Sequence, residues 1–314
     1  YMRKFNPGLR VDQLDLYWTS VHGQKLRGGD EKVATCIDCH NYHGILPAND
    51  ARSWVYSVNV PETCGRCHGD SDYMAGYGIT TDQYDEYKQS VHGRLLLERG
   101  GRGAPACNDC HGNHGAAPPG VSSVSNVCGQ CHPVNAGYFA QSRHAAPFEE
   151  DGIPACETCH GNHDIDPPTE SMLGGDASVC AQCHEVDSNG YLAAAAFKGV
   201  IERLRERRGQ AAKLLDRAER AGMEVSEAKF QLNEVDNNLI KARTVVHTFS
   251  LAQLEAVVAQ GDSLAGLTIV AGEQALAELQ FRRKGLGVSL IVIVVVGLAL
   301  VLKIREVDRR RGLQ

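Results

Sequence analysis

No cysteine follows Cys183, although the chain of 314 residues holds twelve of them. Disulfides and cysteine-based metal sites are therefore excluded from residues 191–314. Residues 1–190 are short of basic side chains, with 13 Lys and Arg against 24 Asp and Glu. That balance leaves no basic face suited to nucleic acid. An acidic field of this kind favours partners with a basic docking patch, or it serves solubility alone.

The two parts of the chain differ in charge as well as in cysteine. Residues 191–314 hold 19 Lys and Arg against 14 Asp and Glu, so this part is mildly basic. No apolar segment precedes Tyr1, and we expect that any export signal has been removed. The length suits one large or two modest domains. The composition thus predicts an acidic, cysteine-rich region followed by a cysteine-free region of different character.

All twelve cysteines belong to six copies of a Cys-x-x-Cys-His pentapeptide. The copies are CIDCH (36–40), CGRCH (64–68), CNDCH (107–111), CGQCH (128–132), CETCH (156–160) and CAQCH (180–184). This is the attachment pattern of c-type haem, in which two thiols form thioethers to one porphyrin and the next histidine becomes the proximal iron ligand. Neither a zinc site nor a disulfide framework requires a histidine directly after the second cysteine.

Six copies that use every cysteine therefore predict six covalently bound haem c groups. The predicted attachment residues are Cys36, Cys39, Cys64, Cys67, Cys107, Cys110, Cys128, Cys131, Cys156, Cys159, Cys180 and Cys183. The predicted proximal ligands are His40, His68, His111, His132, His160 and His184.

The pentapeptide lies inside a larger repeat that occurs three times. Each copy opens on a Ser-x-His segment, and these segments read YWTSVHGQKL (17–26), YKQSVHGRLL (87–96) and FAQSRHAAPF (139–148). A bracket segment follows, which we define as CxxCHxxH at residues 36–43, 107–114 and 156–163. A plain motif without the extra histidine ends each copy. We place the repeats at about residues 17–80, 87–135 and 139–190, within a hexahaem domain that covers residues 1–190.

Six haems have twelve axial positions, and the repeat supplies enough histidines to fill them. Besides the six proximal ligands, the predicted axial ligands are His22, His43, His92, His114, His144 and His163. An iron with two imidazole ligands has no open position for a substrate and mainly changes oxidation state. The count therefore favours an electron carrier over a catalyst, and we predict no catalytic residue.

The second histidine of a bracket segment lies on the same side of the porphyrin as the first. It cannot easily reach the opposite face of its own haem, but it can reach the iron of a neighbour. Each bracket segment should therefore hold two porphyrins close together, while the pairing of histidines with irons stays open. His247 lies outside the repeats and is either a substitute ligand or, more simply, an ordinary helix histidine. The third repeat is the least regular, with Ser-Arg-His-Ala at residues 142–145.

Residues 1–190 offer too little chain for a conventional apolar core around each of six haems. We expect a mainly α-helical and loop structure in which the haems form the interior. Without haem this region should not fold, because nothing would offset the loss of chain entropy.

Residues 191–284 show helical spacing of apolar residues instead. We predict one helix over residues 191–222 and a second that is capped by Ser226 and runs to about Thr248. A third should run from about Ser250 to Lys284, loosened by its glycines. They should pack as a hairpin or bundle that forms a stalk, since no strict heptad supports a coiled coil.

The stretch LGVSLIVIVVVGLALVL (286–302) carries no charge and has the length of a short membrane span. A buried core helix is the alternative. We predict a transmembrane helix over residues 285–303 and a basic tail over residues 304–314. More Lys and Arg follow the span than precede it, which predicts a cytoplasmic C-terminus. The chain would then be a single-pass protein of the cytoplasmic membrane with its haem domain on the periplasmic side.

These motifs together resemble the multihaem c-type cytochromes. The group includes small tetrahaem cytochromes, membrane-anchored quinol-oxidising cytochromes, ammonia-forming nitrite reductase and hydroxylamine oxidoreductase. The segment KARTVVHTF (241–249) is also similar to the long C-terminal helices of the two enzymes. Two departures stand out: quinol-oxidising members usually carry an N-terminal membrane helix, and this chain has no CxxCK of the nitrite reductase type.

Three functions remain at this point. The leading hypothesis is a membrane-anchored hexahaem cytochrome that carries electrons between a quinol-oxidising membrane complex and periplasmic or extracellular redox proteins. The second is an enzyme with one open haem, which acts on nitrogen or sulfur oxyanions or as an oxidase. The third is a direct quinol dehydrogenase. The expected partners are redox proteins, subunits of a respiratory complex, membrane lipid at residues 285–303 and, in the third case, quinol.

Overall fold

The computed structural model describes residues 2–8, 10–101, 103–115 and 121–311. Within these ranges the chain is mainly helical and has no β-strand, as the sequence predicts. The α-helices are α1 Met2–Phe5, α2 Gln13–Thr19, α3 Val21–Arg27, α4 Cys36–His40, α5 Val60–His68, α6 Ser71–Met74, α7 Gln83–Gln89, α8 Val91–Leu97, α9 Cys107–His111, α10 Cys128–Cys131, α11 Pro133–Ala140, α12 Ala145–Glu150, α13 Glu157–His160, α14 Asn189–Arg220, α15 Ser226–Val245 and α16 Leu251–Arg311. Short 3₁₀ turns cover Val124–Asn126, Glu170–Met172, Val179–Gln182 and Val246–Thr248.

The chain divides into two compact units. The first unit contains residues 1–172, 177–183 and 247–249, and the second contains residues 173–176, 184–246 and 250–314. The small segment 247–249 belongs to the first unit although both of its neighbours in sequence belong to the second. Residues 247–249, between α15 and α16, therefore belong to the cysteine-rich unit.

The second unit is built on the three long helices α14, α15 and α16. Their shared core includes side chains with no exposed surface, among them Leu204, Leu215, Val235 and Leu254. Arg208 on α14 donates two hydrogen bonds to Asp236 on α15, at 2.7 and 2.8 Å. The buried apolar contacts and this bidentate ion pair together fix the rotation of α14 relative to α15.

Helix α16 runs without interruption through the glycines that were expected to loosen it. A Cβ atom at Gly261 would lie 2.8 Å from Leu204 Cδ2 and 2.9 Å from Asn238 Cβ. A Cβ atom at Gly272 would lie 2.9 Å from Leu214 Cβ. The glycines therefore serve close helix packing, and this gain offsets their low helix propensity.

The start of α15 also differs in detail from the sequence-based expectation. Ser226 is the first helical residue, and its N–H donates to the Glu224 carboxylate at 2.9 Å. A carboxylate near a helix N-terminus is favourable because it accepts from an orphan donor and faces the positive end of the dipole. The cap is therefore the Glu224 side chain.

The C-terminal part of α16 is apolar and faces outward. Its most apolar 18-residue window has a mean hydropathy of 2.9, and none of that window is buried. By length and composition this helix can cross a membrane. The helix continues beyond the expected span to Arg311, and residues 312–314 of the expected tail lie outside the described residues.

The first unit buries few apolar side chains for its length. Seven of the 28 buried apolar residues in the described part of the chain lie in residues 10–172, and 21 lie in residues 194–275. One of its buried groupings is Val60, Leu96, Ala104 and Ala106, against which Cys64 and Cys107 pack. The apolar core of this unit is therefore small for its length.

Candidate haem-binding residues

The first two Ser-x-His segments fold into the same pair of short helices. Ser20 ends α2 and caps α3, since its Oγ accepts from Gly23 N at 3.0 Å. Ser90 does the same between α7 and α8, where its Oγ accepts from Gly93 N at 3.0 Å. His22 and His92 therefore occupy equivalent positions in the first turn after a sharp bend.

The glycine of each segment permits that bend. A Cβ atom at Gly23 would lie 2.1 Å from the carbonyl oxygen of Tyr17, and one at Gly93 would lie 1.9 Å from that of Tyr87. The tyrosines in turn tie the bend to the next motif. Tyr17 donates to the Ala34 carbonyl at 2.8 Å, and Tyr87 donates to the Pro105 carbonyl at 2.7 Å. The Tyr-x-x-Ser-Val-His-Gly pattern thus places its histidine relative to the bracket segment that follows.

The third segment differs in these same residues. Phe139 stands where the other copies have tyrosine, and Ala145 stands where they have glycine. The Ser142 hydroxyl accepts from His144 N at 3.2 Å, and the His144 ring lies 4.0 Å from the Phe249 ring. This copy therefore replaces the tyrosine anchor by aromatic packing, which agrees with its irregular sequence.

The three bracket segments share one backbone shape. The residue after the proximal histidine has a positive φ in each: 65° at Asn41, 77° at Gly112 and 73° at Gly161. The ψ values are also alike, at 176°, 164° and −175°. This extended, positive-φ region is almost confined to glycine, and Asn41 occupies it at a cost in strain. The second histidine therefore leaves each bracket segment in the same direction relative to its own proximal histidine.

Five histidine pairs face one another across a gap of constant size. The ring centroids are 6.0 Å apart for His22–His68, 6.0 Å for His40–His114, 6.3 Å for His92–His132, 5.8 Å for His111–His163 and 5.9 Å for His160–His247. Each pair joins one proximal histidine of a Cys-x-x-Cys-His motif to one histidine from elsewhere in the chain.

The gap has the size that a shared metal ion requires. Two imidazoles bound to one metal at ~2 Å metal–nitrogen distances have ring centres roughly 6 Å apart, once the size of the rings is added. Directly stacked rings would lie closer, and rings joined by a hydrogen bond would not recur at one spacing in five places. The chain's own residues therefore fit a haem iron between the members of each pair, with the two cysteines of the motif beside it.

The pairs follow a regular order along the repeats. His22 and His92 each face the proximal histidine of the plain motif in their own repeat. His114 and His163 each face the proximal histidine of the preceding bracket segment. The sequence left these pairings open, because they depend on how short helices separated by loops pack together.

The last of the five pairs takes its second histidine, His247, from outside the repeats. It lies in the 3₁₀ turn Val246–Thr248, between α15 and α16, and its ring is nearly parallel to that of His160 at 22°. Its Nδ1 is 3.5 Å from the Asn135 side-chain amide. His247 is therefore not a residue of a helix face. The sequence signals that could have revealed it are its place at a break between long helices and the irregularity of the third repeat.

The surroundings of the pairs favour the neutral imidazole that binds metals. Desolvation, followed by the charge of a neighbouring histidine, lowers the pKa of six imidazoles, namely His22, His68, His92, His111, His114 and His160. A neutral ring keeps a lone pair for a metal ion, and a protonated ring does not.

The cysteines place the six motifs next to one another in sequence order. Desolvation and the neighbouring Cys64 raise the pKa of Cys39 to about 11, and desolvation and the neighbouring Cys128 raise that of Cys110 to about 11. Desolvation and the neighbouring Cys180 raise the pKa of Cys159.

Two further thiol pairs make the remaining links. Interaction with Cys107 raises the pKa of Cys64, and interaction with Cys64 lowers that of Cys107. In the same way, interaction with Cys128 raises the pKa of Cys156, and interaction with Cys156 lowers that of Cys128. All twelve cysteines are free thiols. The first motif thus neighbours the second, the second the third, and so on to the sixth.

The structure does not place all of the sequence-predicted ligands in such pairs. The His43 ring is exposed, and the ring beside it is that of Tyr42, at 4.8 Å. His144 packs on Phe249 as described above. The His184 ring lies against the start of α14, where a Cβ atom at Gly190 would be 2.2 Å from its Nδ1.

The histidine pairs are distinct from a zinc site. Among the described residues, no group of three or more His, Cys, Asp or Glu side chains is arranged to hold a metal ion. Two protein ligands on opposite sides are instead what a six-coordinate haem iron takes from its protein. No protein-family model, no curated protein and no solved structure matches this chain.

Proposed function

We propose that this chain is a membrane-anchored hexahaem c-type cytochrome that relays single electrons along a line of bis-histidine haems. The observation that carries the proposal is the set of five facing imidazole pairs, each of which contains the histidine of a Cys-x-x-Cys-His motif. The resemblance to multihaem cytochromes rests on the same motifs and supports the same assignment.

The residues of each motif have separate tasks. The two thiols would hold the porphyrin by thioether bonds, and the proximal histidine would bind the iron. The distal histidine would be the second protein ligand of the iron and would exclude water and substrates from it. Haem c bound in this way supplies reversible one-electron oxidation and reduction. Filled axial positions on both sides favour a carrier over an oxyanion reductase or an oxidase, which would need an open position.

The order of the motifs supports a relay. Cysteines of consecutive motifs are neighbours from the first motif to the sixth, so the porphyrins they hold would be neighbours as well. The second bracket segment adds to this arrangement, because its two histidines face different partners: His111 faces His163, and His114 faces His40. One short segment would therefore link the haems of the first and third motifs.

The haem of the sixth motif, residues 180–184, is the one for which no facing pair is described above, and the order of the repeats predicts its distal ligand. His22 and His92 face the plain motif of their own repeat, so the same register predicts that His144 serves the plain motif of the third repeat. The proximal histidines of the three bracket segments, His40, His111 and His160, face His114, His163 and His247 in turn. We call this order the bracket register, and it assigns one distal histidine to each bracket motif. Twelve histidines then fill twelve axial positions.

The apolar part of α16 supports a membrane anchor. The basic residues that follow it predict a cytoplasmic C-terminus, which would leave the haem domain on the periplasmic side. There the domain would connect a quinol-oxidising complex in the membrane with periplasmic or extracellular redox proteins. Its acidic surface would suit partners with basic docking patches.

The experiment uses the full chain, produced with haem attachment and purified in detergent. The mass of the denatured chain should exceed the sequence mass by six haem groups, and carbon monoxide should leave the reduced spectrum unchanged. Fewer than six covalent haems would contradict the hexahaem assignment. Stoichiometric binding of carbon monoxide would show an open iron and would favour an enzyme.

A further inference from the structure

The bracket register leaves one histidine without an iron. His114 and His163 each reach the haem of the preceding bracket segment, and His247 reaches the haem of the last one. His43 belongs to the first of the three bracket segments in residues 1–314, so the register assigns it to none of the three bracket motifs. Once the other twelve histidines are assigned, His43 is the thirteenth.

The shape of its segment nevertheless matches the two that reach a neighbour. Asn41 adopts the same backbone region as Gly112 and Gly161, although this region is strained for a residue with a side chain. The Asn41 side chain accepts from Tyr42 N at 2.7 Å; one position later in their segments, Asn113 and Asn162 accept from His114 N and His163 N at 2.8 Å each. Strain of this kind persists where the surrounding structure or a function maintains the conformation.

The surroundings of His43 suit contact with a flat apolar ring. The Tyr42 side chain is 65% exposed and meets the His43 ring edge-on, and Ile45 is 63% exposed. An exposed imidazole flanked by exposed apolar side chains can donate to a metal while its neighbours cover part of a porphyrin face.

We propose that His43 is an axial ligand for the haem iron of a second cytochrome that docks at this end of the haem line. This inference rests on the proposed function. The imidazole lone pair forms a bond to the iron and displaces a water molecule, and no electron moves in that step. The partner is a haem protein other than a second copy of this chain, because the register leaves no iron of this chain open. The junction would place the partner's haem next to the first motif, as the bracket segments do inside the chain.

The test uses the haem-loaded full chain in detergent and a probe with one open axial position. The probe is a short haem c peptide that carries a single Cys-x-x-Cys-His motif. We expect the wild-type chain to convert one equivalent of this peptide from high spin to low spin. Binding should be at least about tenfold tighter than that of N-acetylhistidine, a gain near 1.4 kcal/mol, because Tyr42 and Ile45 also contact the porphyrin.

The matched variants are His43→Ala and, as a control on the same loop, Asn49→Ala. His43→Ala should lose the binding, and Asn49→Ala should keep it. Equal binding by wild-type and His43→Ala chains would overturn the proposal, as would wild-type binding no tighter than that of N-acetylhistidine.

One further outcome bears on the inference. A high-spin iron in the His43→Ala chain alone would mean that His43 serves one of the chain's own haems, and this result would overturn the docking proposal. It is separate from the haem count and the carbon monoxide response of the wild-type chain, which test the proposed function.

Discussion

At the scale of single residues, two glycines decide where two of the paired histidines lie. Gly23 and Gly93 each follow a histidine at a bend between short helices, and each lies against a tyrosine carbonyl of the preceding helix. The sequence showed the recurrence of Ser-Val-His-Gly. It did not show that only glycine fits there, because the close contact with the tyrosine carbonyl forms only when the two helices meet at the bend.

Replacing either glycine should therefore disturb the ligand beside it. Gly23→Ala and Gly93→Ala should each destabilise the holoprotein by about 3 kcal/mol, the upper end of the cost of overpacking, because a backbone atom blocks the new methyl group. Gly103→Ala is the control, since nothing lies within 4 Å of its Cβ position. Its effect should stay within about 0.5 kcal/mol. Thermal unfolding followed at the haem absorption measures both, and equal effects at the three positions would contradict the steric account.

His247 gives a second prediction at this scale. His247→Ala should open one axial position, since its ring faces His160 across the gap of 5.9 Å. We expect one high-spin iron per chain in the oxidised electron paramagnetic resonance spectrum and binding of one carbon monoxide after reduction. Gln253→Ala, in the first turn of α16, should leave every iron low-spin. A low-spin spectrum for both variants would mean that His247 does not hold an iron.

At the scale of elements, the sequence predicts where the long helices lie but not how the glycines of α16 pack. Helical spacing predicted α14 and α15 to within a few residues, because their apolar positions recur with the helical period. The expectation that glycines loosen α16 is wrong, because the helix is continuous through them. Their value lies in contacts with Leu204, Asn238 and Leu214 on the other two helices, and no local pattern in α16 contains that information.

A larger side chain at Gly261 should separate the helices of the bundle. Gly261→Leu should lower the free energy of unfolding by about 1–3 kcal/mol despite its better helix propensity, because Leu204 and Asn238 occupy the space. Gly285→Leu meets nothing within 4 Å and should gain up to ~1 kcal/mol. Denaturant unfolding of the detergent-solubilised chain, followed by circular dichroism, gives both values. A stabilising Gly261→Leu would contradict close packing at this crossing.

At the scale of the whole molecule, the two units differ in what holds them together. The long helices bury a continuous apolar core of their own. The cysteine-rich unit buries few apolar side chains and holds histidine pairs whose gaps fit haem irons. Sequence periodicity predicts the first kind of stability. We propose that the second kind depends on a haem cofactor, of which only the predicted attachment residues are visible in the sequence.

Haem removal should therefore affect the units unequally. In a chain produced without haem attachment, we expect protease to degrade the part before residue 172 and to leave the bundle of residues 189–280 protected. The proposed haem groups would supply the interior of the former, while the latter would retain its own core. Limited proteolysis with mass spectrometry identifies the protected fragment. Full protection of the cysteine-rich unit without haem would contradict the idea that haem forms its interior.

The most direct test of the central claim is an anomalous difference map at the iron edge from crystals of the haem-loaded protein. The account predicts six iron peaks in the order of the six motifs, five of them midway between the rings of His22–His68, His40–His114, His92–His132, His111–His163 and His160–His247. Iron peaks that lie away from these pairs, or an order that departs from the sequence of the motifs, would contradict it.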